Sequence, residues 1–363
     1  MNFTLATAEH EPELRALLGA DAMPGWIRLA TGREPDFFRG AGVHGRQTQV
    51  LVAIRDGRVV AMGCRARRPM FVNGEERELG YLGGLRLSPA VRGTAVLAAG
   101  YAALKRLHEA DPVPAYITTV IEGNTEALRV LTGARAGLPR YLNIGRYLTY
   151  AISLRGAESP RPTAGIRRGS DVGWAPILAF LREEGRRRQF FPAFDSPDFG
   201  TDVTPSLRLD DFAAHLDAQA RVSGVAALWD QSSFKQTFVR GYAPATAVFR
   251  PIINLVLQAA GFTTLPRPGS ELKVAYVTAL CVRENDIGMA TALLEKLRSR
   301  GRTGGHDMLL VGLHERDPLN AAVRRFPAFR YPSRAFVVAW EDGQEFVRRL
   351  DPDRVPYLEL AML

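Results

Sequence analysis

The sequence predicts an α/β (α+β) protein made of two tandem copies of one strand-and-helix unit. Three observations carry that prediction. The 363 residues and 39.9 kDa correspond to roughly two domains. The same order of elements can be traced on either side of RGAESPRPTAG (155–165), a Pro-, Gly- and Ser-rich linker. Finally, ELGYLGGLRL (78–87) aligns without a gap to KVAYVTALCV (273–282), an offset of 195 residues that sets Tyr81 on Tyr276, Gly80 on Ala275, Gly84 on Ala279 and Leu85 on Leu280. The units are read as 1–154, with a degenerate site, and 166–363, with the binding site.

In the first half, 2–6 reads as a short strand, 11–18 as a helix, and a second helix lies within 26–39. Residues 49–55 and 58–67 are strands joined by Asp56-Gly57, a two-residue hairpin signal. A strand over 78–87 leads through Ser88-Pro89 into an amphipathic helix, 95–109, with Leu97, Tyr101, Leu104 and Leu107 at helical spacing. A strand (115–121), a helix opening near Asn124 and a strand over 140–154 complete the unit.

The second half repeats the order. Residues 165–168 form a strand, Asp171 caps a helix running to 187, and 220–230 holds strands. Strand 271–282, helix 287–300, strand 308–313, helix 318–325 and strand 333–340 follow, with Leu293, Leu294 and Leu297 on a core face. An insertion, 232–269, holds an amphipathic segment (245–261) that either roofs an acceptor groove with Phe249, Ile252, Ile253, Leu255, Val256 and Leu257 or cements the two halves. The terminal segment 356–363 alternates like a strand and is expected to close a sheet.

The composition, 46% hydrophobic and 23% charged, is that of a folded globular protein and excludes disorder, collagen-like repeats and a small disulfide scaffold. The net charge of +9 raises the question of an anionic ligand. It is spread evenly: residues 1–154 carry 19 basic and 14 acidic side chains, and 155–363 carry 28 and 24. A nucleic-acid surface concentrates its charge, so nucleic acid is not the expected partner. Only Lys105, Lys235, Lys273 and Lys296 are lysines; the remaining basic residues are arginines, which looks like codon composition. Cys64 and Cys281 read as reduced thiols of a cytoplasmic protein. No segment reads as a signal peptide or a membrane span, and the six histidines never fall at metal-ligand spacing.

Each central strand runs through a short turn directly into a helix, whose first N–H groups are unpaired and whose dipole is positive there. That is a site for pyrophosphate, and small residues let a phosphate approach the backbone. The second-half turn reads Asn285-Asp286-Ile287-Gly288-Met289-Ala290-Thr291, and the first-half turn reads Val91-Arg92-Gly93-Thr94-Ala95-Val96-Leu97. Here the sequence resembles the GNAT superfamily of acyl-CoA-dependent N-acyltransferases, whose pyrophosphate signature is Gln/Arg-x-x-Gly-x-Gly/Ala. Asn285-x-x-Gly288-x-Ala290 matches both small positions and departs at the first. Arg92-x-x-Ala95-x-Leu97 matches the first and departs at both others, with Leu97 crowding the site. Asn124 and Ala127 fit a further family feature, an Asn opening the fourth helix with Ala three residues on; Asp317 with Asn320 fits it poorly.

The resemblance implies two tandem domains, each a mixed, mostly antiparallel central sheet flanked by helices. It implies acyl transfer by direct attack of a primary amine on a thioester, with acetyl-CoA or another acyl-CoA as cosubstrate and no metal. The cofactor would be held in the second half by Leu280, Cys281 and Val282 and by the turn Asn285 to Thr291. Such chemistry needs a base for the ammonium proton, a donor for the oxyanion and an acid near the leaving thiolate. At the family's Glu base position stands Tyr276, and at its Tyr acid position stands Phe326. Glu271 is then the candidate base and Tyr331 the candidate acid, with Tyr276 the third catalytic candidate. A core tyrosine with a local hydroxyl partner reads the same at Tyr276 and Tyr331, and a solvated strand end reads the same at Glu271. Cys281 reads equally as small core filler. The expected acceptor is a small-molecule or peptide amine. The alternative is a non-catalytic acyl-CoA-binding or scaffolding protein of the same fold.

Overall fold

In the computed structural model, residues 3–20, 25–91, 95–133, 137–155 and 165–363 are described. The 155–165 linker and the 92–94 part of the first-half turn lie largely outside the described residues.

The first half carries β1 (Phe3–Leu5), α1 (Glu11–Ala20), β2 (Ile27–Gly32), α2 (Phe37–Gly42), β3 (Gln47–Arg55), β4 (Arg58–Val72), β5 (Glu75–Leu87), α3 (Val96–Ala110), β6 (Tyr116–Ile121), α4 (Thr125–Leu131) and β7 (Arg140–Ser153). The second carries β8 (Ile166–Arg168), α5 (Gly169–Val172), α6 (Trp174–Gly185), β9 (Phe212–Leu216), β10 (Val222–Trp229), β11 (Gln236–Tyr242), α7 (Pro244–Ala259), β12 (Val274–Val282), α8 (Ile287–Thr303), β13 (Met308–His314), α9 (Asn320–Val323), β14 (Ala328–Ala339) and α10 (Gln344–Arg348).

Twelve of these strands form one continuous sheet in the order β1-β3-β4-β5-β6-β14-β7-β13-β12-β10-β9-β8. The pairing is antiparallel except at β5 with β6 and β12 with β13. This is a mixed, mostly antiparallel sheet flanked by helices. The order reads alike from both edges, and the last strand of each half crosses over: β14 lies between β6 and β7, and β7 between β14 and β13. The β14–β7 ladder runs from Ala328–Ile152 to Ala339–Arg140, so the halves are joined through the last strand of each.

Local chemistry explains most elements. Asp56 and Gly57 (φ 51° and 72°), like Asn73 and Gly74 (52° and 88°), are left-handed pairs, the conformation that joins two antiparallel strands tightly. The Asp286 carboxylate accepts the Met289 N–H at 2.9 Å and starts α8, which buries Ala290, Leu293, Leu294 and Leu297. Each such leucine contributes about 2 kcal/mol by leaving water. Asn124 accepts the Ala127 N–H at 3.1 Å and starts α4 as its sequence position suggests.

Four readings change. Residues 27–32, expected within a helix, form β2, because β11 of the insertion supplies a partner strand over Gln236–Gly32 to Tyr242–Ile27. The helix in this region is only α2, capped by Asp36, which accepts from the Phe38 and Arg39 N–H groups. Asp171 does not cap a long helix: Gly173, at φ 91°, separates α5 from α6. The terminal segment adds no strand to the sheet. It runs inward, ends in a turn at Leu360–Met362, and buries Tyr357, Leu358, Glu359, Ala361 and Met362. In the insertion, Ile253 and Leu257 of α7 pack on Ile27, Val239, Tyr242, Leu265 and Leu272, while Phe249, Ile252, Leu255 and Val256 face outward.

Candidate functional site

The parallel pairs at the centre of each half are short. β5 meets β6 only at Gly80–Tyr116 and Tyr81–Ile117, and β12 meets β13 only from Val274–Met308 to Tyr276–Leu310. Beyond those points the strands diverge and leave a wedge in the sheet. Each central strand also bulges where the wedge opens. On β5 the register jumps so that Gly84 and Leu85 stand opposite Gly63, and on β12 so that Ala279 and Leu280 stand opposite Ala226. Gly84 (φ 64°) and Ala279 (φ 53°) are both left-handed, at positions 195 residues apart. A bulge of this kind re-aims backbone groups out of the ladder.

The two wedges are filled differently. In the second half the chain's own residues 357–362 pack on β12 and β13. The Ala279 N–H donates to Glu359 Oε2 at 2.9 Å, the Tyr357 hydroxyl donates to the same oxygen at 2.9 Å, and the Tyr147 hydroxyl donates to the Leu358 carbonyl at 2.7 Å. Burial pushes the Glu359 carboxyl above its ordinary range. In the first half the wedge opens into a cavity of about 360 Å³, within the range of small-molecule sites, roughly 300–1,000 Å³.

Leu82 to Leu87 of β5 and Thr118 to Ile121 of β6 form the cavity's waist. At one end α3 and α4 supply Val96, Leu97, Gly100, Tyr101, Leu104, Asn124, Ala127 and Leu131, so the start of α3 opens beside it. At the other end stand Arg33, His44, Cys64, Tyr81 and Arg86, together with Lys235 and Leu363 from the second half. The insertion places Lys235: the β11–β2 pairing clamps it to the first half, and the segment just before β11 delivers the amine. Lys235 Nζ lies 4.7 Å from the centroid of the Tyr276 ring and donates to the Leu363 carbonyl at 3.3 Å. Desolvation, and then the charge of Arg33, brings its pKa down to about 7.

His44 is the other titratable base at this end, and both its nitrogens are engaged. Arg33 Nη2 donates to Nε2 at 2.8 Å, which leaves the proton on Nδ1 to be donated to the Met362 carbonyl at 3.0 Å. Burial and the Arg33 charge hold the ring well below its ordinary pKa, so it stays neutral. Burial raises the Tyr81 hydroxyl to about 12 and raises the Cys64 thiol, so neither ionises near neutral pH.

The residues singled out from the sequence lie in the second half. Asn285, Asp286 and Gly288 form an exposed helix start, with Ile287 and Met289 half-buried and Ala290 and Thr291 buried behind them. Asn285 accepts from Arg188 Nη2 at 2.6 Å, and Arg188 also pairs with Asp317. Leu280, Cys281 and Val282 are buried, and burial pushes the Cys281 thiol up to about 12. Tyr276 is buried and raised far above its ordinary pKa; only its ring, beneath Lys235, approaches the cavity. Glu271 is exposed beside Phe238, and Tyr331, on β14 opposite Thr149, has its pKa raised by burial. These three candidates stand on separate elements, and none lines the cavity. Lys235 and Arg33 were not singled out, although a lysine among so many arginines was a signal worth following.

Among the described residues, no group of His, Cys, Asp and Glu is arranged to hold a metal, and no helix is long and apolar enough to cross a membrane. No family model matches the chain, and no curated protein is similar to it in sequence. Solved structures are similar in fold. The chain aligns with Saccharomyces cerevisiae N-myristoyltransferase bound to myristoyl-CoA at a TM-score of 0.61 and 10% identity, over 93% of this chain and 82% of that one. A structure of the same enzyme with myristoyl-CoA and inhibitors gives 0.61 and 10%, over 100% and 86%. With its mixed sheet, two wedges and crossed terminal strands, this chain has the GNAT-like fold of the N-acyltransferases.

Proposed function

We propose that the protein is an acyl-CoA-dependent N-acyltransferase whose acyl site is the first-half cavity. The observation that carries this reading is the open wedge: a bulged central strand facing a cavity that also holds Lys235. We propose further that the halves are copies of one unit, on the strength of the strand order and the matched left-handed residues Gly84 and Ala279. The second copy then serves as support, its wedge occupied by residues 357–362.

The chemistry follows from the residues present. The thioester lies across the waist, with the CoA portion toward the start of α3, the positive end of that helix's dipole. The neutral Lys235 amine takes a proton from the acceptor's ammonium. The freed amine attacks the thioester carbonyl, and the C–N bond forms as the carbonyl electrons move to oxygen. The backbone at the Gly84–Leu85 bulge stabilises that oxyanion. The C–S bond then breaks, and the thiolate leaves with the second proton released by the nitrogen.

Acetyl is the smallest acyl group that the resemblance implies. The cavity has room beyond it, and the yeast enzyme similar in fold binds myristoyl-CoA. We therefore propose an acyl chain of several carbons. Calorimetric titration with acetyl-, octanoyl- and myristoyl-CoA, followed by thiol release against amines, tests the reading. Binding that tightens with chain length, with turnover, is expected; no binding to any of the three overturns it.

A further inference from the structure

Helix α7 presents its apolar face to solvent. Val248, Phe249, Ile252, Leu255 and Val256 are 72%, 55%, 62%, 70% and 62% exposed and share one side of the helix. Its polar side chains face the protein instead. Asn254 exchanges two hydrogen bonds with the Leu265 backbone, at 3.0 and 2.7 Å, and Arg250 Nη1 donates to the Leu265 carbonyl at 3.3 Å. A helix on a globular protein ordinarily does the reverse and turns its apolar stripe to the core. Five large apolar side chains in one exposed ridge mark a surface that meets an apolar partner.

The charge around the ridge says which partner. From 236 to 270 the chain carries Arg240, Arg250 and Arg267 and no Asp or Glu. Arg28 of β2 lays its guanidinium over Gly241 of β11, and the bordering acid is Glu271, beside Phe238. Arg240 and Arg250 donate to the Gly19 and Leu265 carbonyls rather than to carboxylates. Trp26, 38% exposed, stands at the start of α7, where its carbonyl accepts the Ala243 N–H. An apolar helix face bordered by a tryptophan and arginines is the composition of a helix lying in the headgroup layer of a bilayer. Size argues the same way. The 16 residues of α7 make a ridge about 24 Å long and about 10 Å across, a few hundred Å² at most. A stable protein complex buries roughly 800 Å² on each partner. A small convex ridge suits a fluid partner that moulds to it.

We propose that α7 docks the protein on a bilayer containing anionic lipid, with its outer face among the acyl chains and the surrounding arginines against the headgroups. The inference stands apart from where acyl-CoA binds, but it bears on the site. The β2–β11 ribbon joins α7 at its Ile27–Tyr242 end to the cavity residues Thr31, Arg33 and Lys235 at the other, about 20 Å away along the strand. Docking therefore holds that end of the cavity near a phase that takes up an apolar acyl product.

The test floats the full chain, without acyl-CoA, on vesicles of phosphatidylcholine alone and of phosphatidylcholine with about a third phosphatidylglycerol, at low and high salt. Beside it runs Ile252→Glu with Leu255→Glu, a pair of changes outside the packing that should keep the melting temperature. Wild type should bind the anionic vesicles at least tenfold more tightly than the neutral ones, and added salt should weaken that binding. The double variant should lose it by tenfold or more. Ile252→Gln with Leu255→Gln gives the same reading without added charge, should the glutamates disturb folding. Equal binding to both lipid mixtures, binding that the variants keep, or no binding at all overturns the proposal. So does a dimer that depends on the ridge and forms in place of vesicle binding. None of these results touches acyl-CoA binding, which titration reads separately.

Discussion

The Ala279 N–H donates to the Glu359 carboxylate at 2.9 Å, whereas Gly84, at the matching bulge 195 residues earlier, lines an open cavity. One geometric device is thus quenched by the chain's own carboxylate in one half and left facing a cavity in the other. With the acyl site proposed in the first half, that contrast yields separable expectations for the two halves.

Removing the plug should cost stability and not rate. Glu359→Ala leaves the Ala279 N–H and the Tyr357 hydroxyl without their acceptor and opens a void, at a cost of about 2–4 kcal/mol. Urea denaturation should show it, with kcat of the folded fraction unchanged. Burial raises the folded-state pKa of Glu359 above its unfolded value. The unfolded chain therefore releases this proton first, and stability falls as pH rises from the ordinary carboxyl range to the raised value. Glu359→Gln should flatten that slope.

Lys235 should set the acidic limb of the rate profile. Its pKa near 7 means that the neutral amine dominates only above that pH, so activity should rise through about pH 7 and level off. Lys235→Met should lower kcat by roughly 10²–10⁴, the usual range for losing a general base. Lys235→Arg should fail to rescue it, because a guanidinium does not give up its proton in a protein. A wild-type profile flat between pH 5.5 and 8.5 would remove Lys235 from the mechanism.

The paired bulge residues should respond oppositely. Gly84→Val forces a β-branched residue into a left-handed conformation and brings its Cβ to 3.1 Å from Cys64 Sγ. It should depress kcat and lower the melting temperature together. Ala279→Gly relieves a left-handed strain of about 1 kcal/mol, partly offset by glycine's greater freedom when unfolded. Stability within about 1 kcal/mol of wild type and unaltered kcat are expected.

Much of the architecture was legible because it is written in local patterns. The ungapped match of 78–87 to 273–282 brought together the two strands that bulge at the same place, and Asp56-Gly57 marked its hairpin. What escaped depends on distant partners. β2 is a six-residue strand whose pairing partner lies in the insertion, so its own residues carried too short a pattern to exclude a helix. The alternation of 356–363 suggested a strand, but Glu359 turns inward to accept the Ala279 N–H, a choice made by the empty wedge and not by periodicity. Lys235 reaches the first-half cavity only because β11 pairs across the halves, so no reading of its neighbours in sequence could place it. The well-formed turn Asn285 to Thr291 is a genuine helix start; what distinguishes the halves is what fills the wedge behind it.

The central claim is that the acyl-CoA enters the first-half wedge. Titration of myristoyl-CoA into wild type, Thr119→Trp and Gly288→Trp tests it most directly, because Thr119 lines that cavity and Gly288 begins the second-half helix. One molecule bound per chain, lost in Thr119→Trp and kept in Gly288→Trp, is the predicted result. Binding kept in Thr119→Trp and lost in Gly288→Trp would contradict it.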